Sequence, residues 1–213
     1  MQSDKETSRK ETNWWDHWNT SYRSNLPPTS LPSKVGAVVL KEITSLNLTD
    51  PKILELGCST GWLAGELTRE NVRYMGCDLA PKAIALAKRK APKGRFEATD
   101  FMLWDVSEQP FDMILSVDTI AYFRDQNTAV RKIANLLKPG GYVILTTVNP
   151  FVYSRRTDIG QPGEGQVRNW LTRSQLHRLL ARNSLLPLRS WTVFPCGDKG
   201  VLRIVNSYHR LGT

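Results

Sequence analysis

The chain has 213 residues, 40% of them apolar, which suits one domain with a buried core rather than two. Its net charge of +9 is uneven: residues 1–50 balance, residues 51–150 carry a surplus of two, and residues 151–213 hold ten basic groups, nine of them arginine, against three acids. An arginine-rich end suits an anionic substrate, carrier or surface as well as it suits a plain solubilising face.

Cys58, Cys77 and Cys196 show no C-x-x-C or histidine pairing, so neither a disulfide framework nor a zinc site is expected. No apolar run approaches the roughly 18 residues of a membrane span, and the opening MQSDKETSRKET is polar and mixed in charge. Neither a span nor a signal peptide is expected, and the cytoplasm is the simplest location. Residues 1–12 offer nothing to bury and are expected to be disordered. Trp15, Trp18 and Tyr22 then fall at i, i+3 and i+7, one face of a helix. Such a face either packs permanently on the domain or closes over a ligand, in which case His17 sits near the mouth. Leu26 to Pro32 carries three prolines in six residues and reads as an extended hinge. A helix over Lys34 to Leu46 follows, with Val35, Val38, Val39 and Ile43 on one side.

The stretch Lys52 to Asp78 organises the rest. Lys52 to Leu56 is a short strand, Gly57-Cys58-Ser59-Thr60-Gly61 a tight loop, Trp62 to Glu70 a helix, and Val72 to Cys77 a second strand ending on Asp78. Two glycines let backbone pass close to a ligand, and the following helix points its first N–H groups there. An acid at the tip of the next strand suits a pair of ribose hydroxyls. The loop lacks the G-x-G-x-x-G of dinucleotide binders, and Glu55, just before the first glycine, would repel a pyrophosphate yet could accept from a cationic ammonium.

The run E-L-G-C-S-T-G followed by G-C-D resembles the first two motifs of class I S-adenosylmethionine-dependent methyltransferases, with Ser59 in place of the middle glycine of acid-x-Gly-x-Gly-x-Gly. Asp-Leu-Ala-Pro from Asp78, Phe-Asp-Met-Ile from Phe111 and Leu-Leu-Lys-Pro-Gly-Gly-Tyr-Val-Ile-Leu from Leu136 extend the resemblance over residues 52–148. It implies a Rossmann-like α/β fold: seven strands, mostly parallel, helices on both faces and the last strand antiparallel. It implies S-adenosyl-L-methionine as cofactor, with Glu55, Gly57, Cys58, Ser59, Gly61, Asp78 and Leu79 around it. In the family an acid after the third strand commonly accepts from the adenine amino group and the next apolar residue packs on the ring, which points to Asp100 and Phe101. Many small-molecule members close an aromatic N-terminal helix over the cofactor, which gives Trp18 and Tyr22 a place beside the sulfonium, where a ring gains cation–π attraction.

Phe111 to Asp118 is the fourth strand, and Ser116 and Asp118 at its tip should face the methionine end and the substrate, with Tyr122 close behind. A helix over Gln126 to Leu137 and a strand over Tyr142 to Val148 complete the core. Residues 149–170 form a long loop with Tyr153, Arg155, Arg156 and Arg168, and a loop of that length is usually functional. Asn149-Pro150-Phe151 is not the motif of amino-group methyltransferases, which follows the fourth strand. Thr172-x-x-Gln175 is a capping box for a helix to about Asn183, in which His177 lies off the apolar stripe. Trp191 to Phe194 and Val201 to Ser207 are the last strands, joined by a turn containing Asp198.

One domain is therefore expected, with a lid and helix over residues 13–46, a cofactor core over 52–148 and a substrate side over 149–213. The reaction expected is methyl transfer to O or N of a small metabolite, anionic or not, with a nucleic acid or protein acceptor, or a non-catalytic partner subunit, as alternatives. A hydroxyl acceptor needs a base within reach, and His17, Asp118 and Asp198 are the candidates.

Overall fold

Strands that bury both faces make a parallel sheet needing cover on each side, and the short apolar runs of this chain are of that kind. The computed structural model describes residues 2–21, 31–108, 110–148, 150, 166–192 and 203–210. Its strands are β1 Lys52–Leu56, β2 Arg73–Asp78, β3 Arg95–Ala98, β4 Phe111–Ser116, β5 Leu137–Val148, β6 Leu185–Thr192 and β7 Arg203–Arg210, in the order β3-β2-β1-β4-β5-β7-β6. The first five run parallel, and β7 lies antiparallel between β5 and β6. The helices are α1 Gln2–Ser21, α2 Leu31–Ser45, α3 Trp62–Leu67, α4 Pro81–Lys90, α5 Gln126–Leu136 and α6 Arg173–Ala181.

Period-two alternation sorts the strand residues into two cores. Leu54, Ile114, Val143 and Leu145 pack with Ile133 of α5 and Leu176 and Leu180 of α6. Ile53, Met113, Leu115 and Ile144 pack on the other face with Val35 and Val39 of α2, Leu63 of α3 and Ile84 of α4. The connections leave β1 toward β2 on one side, while β4 and β5 lie on the other. Strand order therefore reverses beside β1, and the crevice at the carboxyl ends of the strands opens there.

Several elements differ from the sequence expectation. Strand β5 begins at Leu137 rather than Tyr142, the Lys138-Pro139-Gly140-Gly141 run being taken up as an irregularity in its pairing with β4, and α3 ends at Leu67 rather than Glu70. Helix α1 begins at Gln2, where disorder was expected. The polar segment contains no Gly or Pro, so once the tryptophan segment docks, the preceding turns need only propagate. Helix α2 begins at Leu31, so Pro32 lies in its first turn, where a missing N–H costs nothing, rather than in a hinge. Strand β6 begins at Leu185, well before Trp191. Pro187 is tolerated because β6 is the edge of the sheet and the register shifts between Pro187 and Arg189. Strand β7 runs to Arg210 rather than Ser207. The capping box of α6 is formed as expected: Thr172 Oγ1 accepts from Gln175 N–H at 3.3 Å, and Gln175 Oε1 accepts from Thr172 N–H at 2.8 Å.

Candidate active site

A cavity of about 570 Å³ opens over the carboxyl ends of β1 to β4. Its floor is the loop after β1. Gly57 and Cys58 both donate their N–H to Cys77 O, at 2.8 and 3.0 Å, which folds the loop against the tip of β2. Gly57 has φ +68°, and a Cβ there would stand 2.3 Å from Thr119 Oγ1. Gly61 has φ +72°, and a Cβ there would meet the Ala87 backbone at 2.9 Å, so this glycine seats α3 against α4. Ser59, at the middle-glycine position, also takes positive φ, at 52°. This is a region that costs a side-chain residue about 1–2 kcal/mol.

The next strand tips supply the acids. Asp78 accepts from Ser59 N–H at Oδ2 (2.8 Å) and from Ala80 N–H at Oδ1 (2.9 Å), so both carboxylate oxygens are fixed in the cavity wall. After β3, Asp100 Oδ1 accepts from Met102 N–H at 2.8 Å, and Phe101, 4% exposed, forms the wall beside it. After β4, Asp118 sits at φ 55°, with Thr146 Oγ1 donating to its Oδ1 and accepting its N–H, each at 2.8 Å. A non-glycine residue held in the left-handed region at a cavity wall marks a place where the surroundings impose geometry.

Helix α1 covers the cavity. Glu11, Trp15, Trp18 and Asn19, at i, i+4, i+7 and i+8, face the inside. Trp15 meets Tyr122 edge-on at 4.7 Å, and Trp18 stacks on Trp14 at 5.4 Å. Two buried polar side chains hold the helix in place. Asp16 Oδ1 accepts from Lys82 N–H in the first turn of α4 at 2.9 Å, and Asn19 Oδ1 accepts from Ser59 Oγ at 2.6 Å. Glu11 Oε2 lies 3.5 Å from the Arg124 guanidinium. Burial pushes the Glu11 carboxyl above its ordinary value; Arg124 and a hydrogen bond from the Trp15 side chain offset part of the rise, and the charge of Asp100 adds to it.

Of the residues expected from sequence, Trp18, Gly57, Ser59, Asp78, Leu79, Asp100, Phe101, Asp118 and Tyr122 converge on this wall. Others do not. Glu55 follows the alternation of β1 to the face of Ile53, where it is 4% exposed and accepts from Tyr74 Oη at 2.5 Å. Ser116, on the face of Ile114, is fully buried, and its Oγ has no partner among the described residues. Cys58 is buried in the α2–α4 core, and Gly61 serves helix packing. His17 is exposed on α1, its Nδ1 3.4 Å from Ser21 Oγ, and is not on the wall. Arg168 is half-buried with Nε donating to Gln166 Oε1 at 3.1 Å, also away from the wall. Tyr22, Tyr153, Arg155, Arg156 and Asp198 lie outside the described residues.

Sequence reasoning missed Glu11, Asn19, Thr119 and Arg124. Glu11 and Asn19 were legible as members of the stripe that Trp15 and Trp18 define, had polar residues been counted in it. Among the described lining residues, five carboxylates (Glu11, Asp78, Asp100, Asp118 and Asp125) face one guanidinium, Arg124. That balance rejects a pyrophosphate and suits a guest that offers hydroxyls, an amino group and positive charge. A nucleoside carrying a sulfonium and an ammonium has this donor set. Cys77 reaches the same wall, but burial pushes its thiol far up, with Asp78 adding to the rise, so it stays protonated and inert.

A family model for a methyltransferase domain matches residues 29–185. The ubiquinone biosynthesis O-methyltransferase of Bradyrhizobium sp. (strain ORS 278) is 31% identical over 110 residues, which are 49% of this chain and 43% of that protein. The chain thus spans less than half the length of this curated relative. Among solved structures, the N-methyltransferase NodS from Bradyrhizobium japonicum WM9, in complex with S-adenosyl-L-homocysteine, superposes with a TM-score of 0.73 at 16% identity over 94% of this chain and 98% of its own. The 1,6-didemethyltoxoflavin-N1-methyltransferase of Burkholderia thailandensis does so with a TM-score of 0.71 at 18% identity, over 99% of this chain and 90% of its own. At those identities the likeness is one of fold. The sequence match carries the lineage: the chain belongs to the class I S-adenosylmethionine-dependent methyltransferases.

Proposed function

We propose that the protein transfers a methyl group from S-adenosyl-L-methionine to an oxygen or nitrogen of a small, neutral or weakly basic metabolite, with α1 acting as a cover that closes over both reactants. The observation that carries the reading is Asp78. Its two oxygens are aimed by Ser59 and Ala80 N–H beside the Gly57 loop, the arrangement that a pair of vicinal hydroxyls requires.

Asp78 would hold the ribose, Asp100 and Phe101 the adenine, and the backbone at Gly57 the amino-acid end. The cofactor supplies a methyl carbon already activated by its sulfonium, so alignment is the protein's main task. Trp15, Trp18 and Tyr122 wall the acceptor side and exclude water. Asp118 is the hydrogen-bond acceptor available to a hydroxyl nucleophile, its carboxylate held by Thr146, whereas an amine need only arrive unprotonated. The O-methyltransferase and N-methyltransferase relatives support this choice of atoms without separating them.

The test is calorimetry with S-adenosylhomocysteine, followed by a mass-resolved screen of phenols, alcohols and amines with the cofactor. Micromolar binding and a product heavier by one methylene are expected. Absence of cofactor binding by a cooperatively folded protein sinks the proposal.

A further inference from the structure

Lys132 stands on α5, off the cavity wall, and sends its ammonium into the back of the turn that carries Asp100 and Phe101. Nζ donates to Phe101 O at 2.6 Å and to Trp104 O at 2.5 Å, with Met102 O at 3.5 Å, and lies 4.8 Å from the Phe101 ring centroid. A lysine has three donors on one point. Here they are directed at carbonyls of a single turn of four residues. From the other side the turn is closed by Asp100 itself, whose Oδ1 accepts from Met102 N–H at 2.8 Å and whose carbonyl accepts from Leu103 and Trp104 N–H, each at 3.0 Å.

This arrangement is costly to build. Desolvation lowers the proton affinity of Lys132, and the negative charges of Asp100 and Asp105 are among the groups that offset the loss. A cation brought half under the surface to gather backbone carbonyls fixes the shape of that backbone. Phe101 and Met102, whose carbonyls it holds, present their side chains to the cavity, as does Asp100. The ring of Phe101 is fixed twice over, by the ammonium and by Phe123 at 5.7 Å.

We infer that Lys132 is a positioning residue for base selectivity: by gathering the carbonyls of Phe101 and Trp104 it fixes the angle at which Asp100 and Phe101 meet the cofactor's purine. The inference rests on the proposed reading of Asp100 as acceptor for the adenine amino group. Arginine is a poor substitute, because a planar fork cannot converge on carbonyls that surround one point.

The test compares two probes by calorimetry, S-adenosylhomocysteine and its inosine counterpart, in which a carbonyl replaces the amino group. The wild-type chain should prefer the adenine form by about tenfold or more, the usual scale for a hydrogen bond to a charged acceptor. Lys132→Met should lose most of that preference, and Lys132→Arg should keep an intermediate share. If Lys132 served only overall stability, both probes would weaken by one factor and the ratio would stand, which overturns the inference while leaving the adenine reading intact. A wild-type chain with no preference removes the adenine reading, and the inference with it. Should Lys132→Met fail to fold, Lys132→Arg decides: full wild-type preference overturns the inference and a reduced one supports it.

Discussion

The cavity has a floor and a cover, and they are held by different means. The floor, from Gly57 to Asp118, is an extension of the sheet. Its loops are tied by backbone bonds such as Gly57 N–H to Cys77 O and Thr99 N–H to Asp78 O, and its acids are aimed by neighbouring N–H groups. The cover, α1, has no ladder. It rests on aromatic faces and on polar contacts from Glu11, Asp16 and Asn19. Breaking the floor means distorting the sheet edge, whereas freeing the cover means giving up a few side-chain bonds. Recognition of the cofactor should therefore belong to the floor and turnover to the cover, as expected where closure completes a site.

The largest effect should come from Asp78→Ala. Beyond the lost acceptor of two hydroxyls, worth about 1.5–3 kcal/mol, the change leaves Ser59 and Ala80 N–H without their carboxylate. Affinity for S-adenosylhomocysteine should fall ten- to a hundredfold or more by calorimetry. Unchanged binding would place the cofactor elsewhere and dissolve the floor altogether.

Next in size is removal of residues 1–21. Among the described residues, the two cores draw on α2 to α6 and the sheet, with none from α1. The truncated chain should melt cooperatively and still bind S-adenosylhomocysteine, but turn over poorly. A truncated chain that fails to fold would make α1 part of the core and erase the distinction.

A smaller and more selective pair of changes probes the hydrogen bond from Ser59 to Asn19, which joins floor to cover at the glycine loop. Ser59→Gly relieves the positive φ and breaks the link to Asn19, two effects of opposite sign and similar size. The melting temperature should barely move while amide exchange in α1 rises. Asn19→Ala breaks the same link, leaves the backbone strain and strands a buried hydroxyl, so it should destabilise by about 1–2 kcal/mol. Combining the two should recover part of that loss. Additive behaviour in the double mutant would show that the hydroxyl and the amide do not act together.

Ser59 also shows what was legible in the sequence and what was not. As a replacement for glycine it looked merely tolerated, because a pattern of spacings records size and not conformation. The fold reveals that its hydroxyl reaches a residue 40 positions earlier, a distance no local rule spans. The floor was readable because strand, turn and acid lie within one βαβ unit, and strand alternation then corrected Glu55 and Ser116, whose side chains turn to the helix-covered faces. Reading the cover as a face of aromatics alone gave Trp15 and Trp18 but passed over Glu11, Asp16 and Asn19. Buried polar residues are drawn there by partners on other elements, and those partners are fixed only by the tertiary fold. Lys132 was invisible for the same reason, since a lysine on an exposed helix reads as solvated until the turn it serves is placed beside it.

The smallest effect concerns pH and the outer end of the cover. Glu11 is buried enough that its carboxyl titrates above its ordinary value even beside Arg124. A group whose folded value is raised contributes stability that is fully present below its unfolded value and is lost as pH rises through the folded one. Docking of α1 should therefore loosen slightly between mildly acidic and neutral solution. Arg124 is 56% exposed on its side chain, so solvent screens its attraction and the compensation is partial. Glu11→Gln keeps the shape and the hydrogen-bonding reach of the protonated form while removing the titration. The variant should show α1 amide protection that is flat with pH across this window, meeting the wild type at its acidic end and exceeding it at neutrality. A wild-type helix that tightens as pH rises would mean that the ion pair outweighs burial, and Glu11→Gln would then loosen the cover at neutral pH. That result would still leave the floor untouched, because Asp78 takes its geometry from Ser59 and Ala80 N–H, and the Gly57 loop takes its own from Cys77 O.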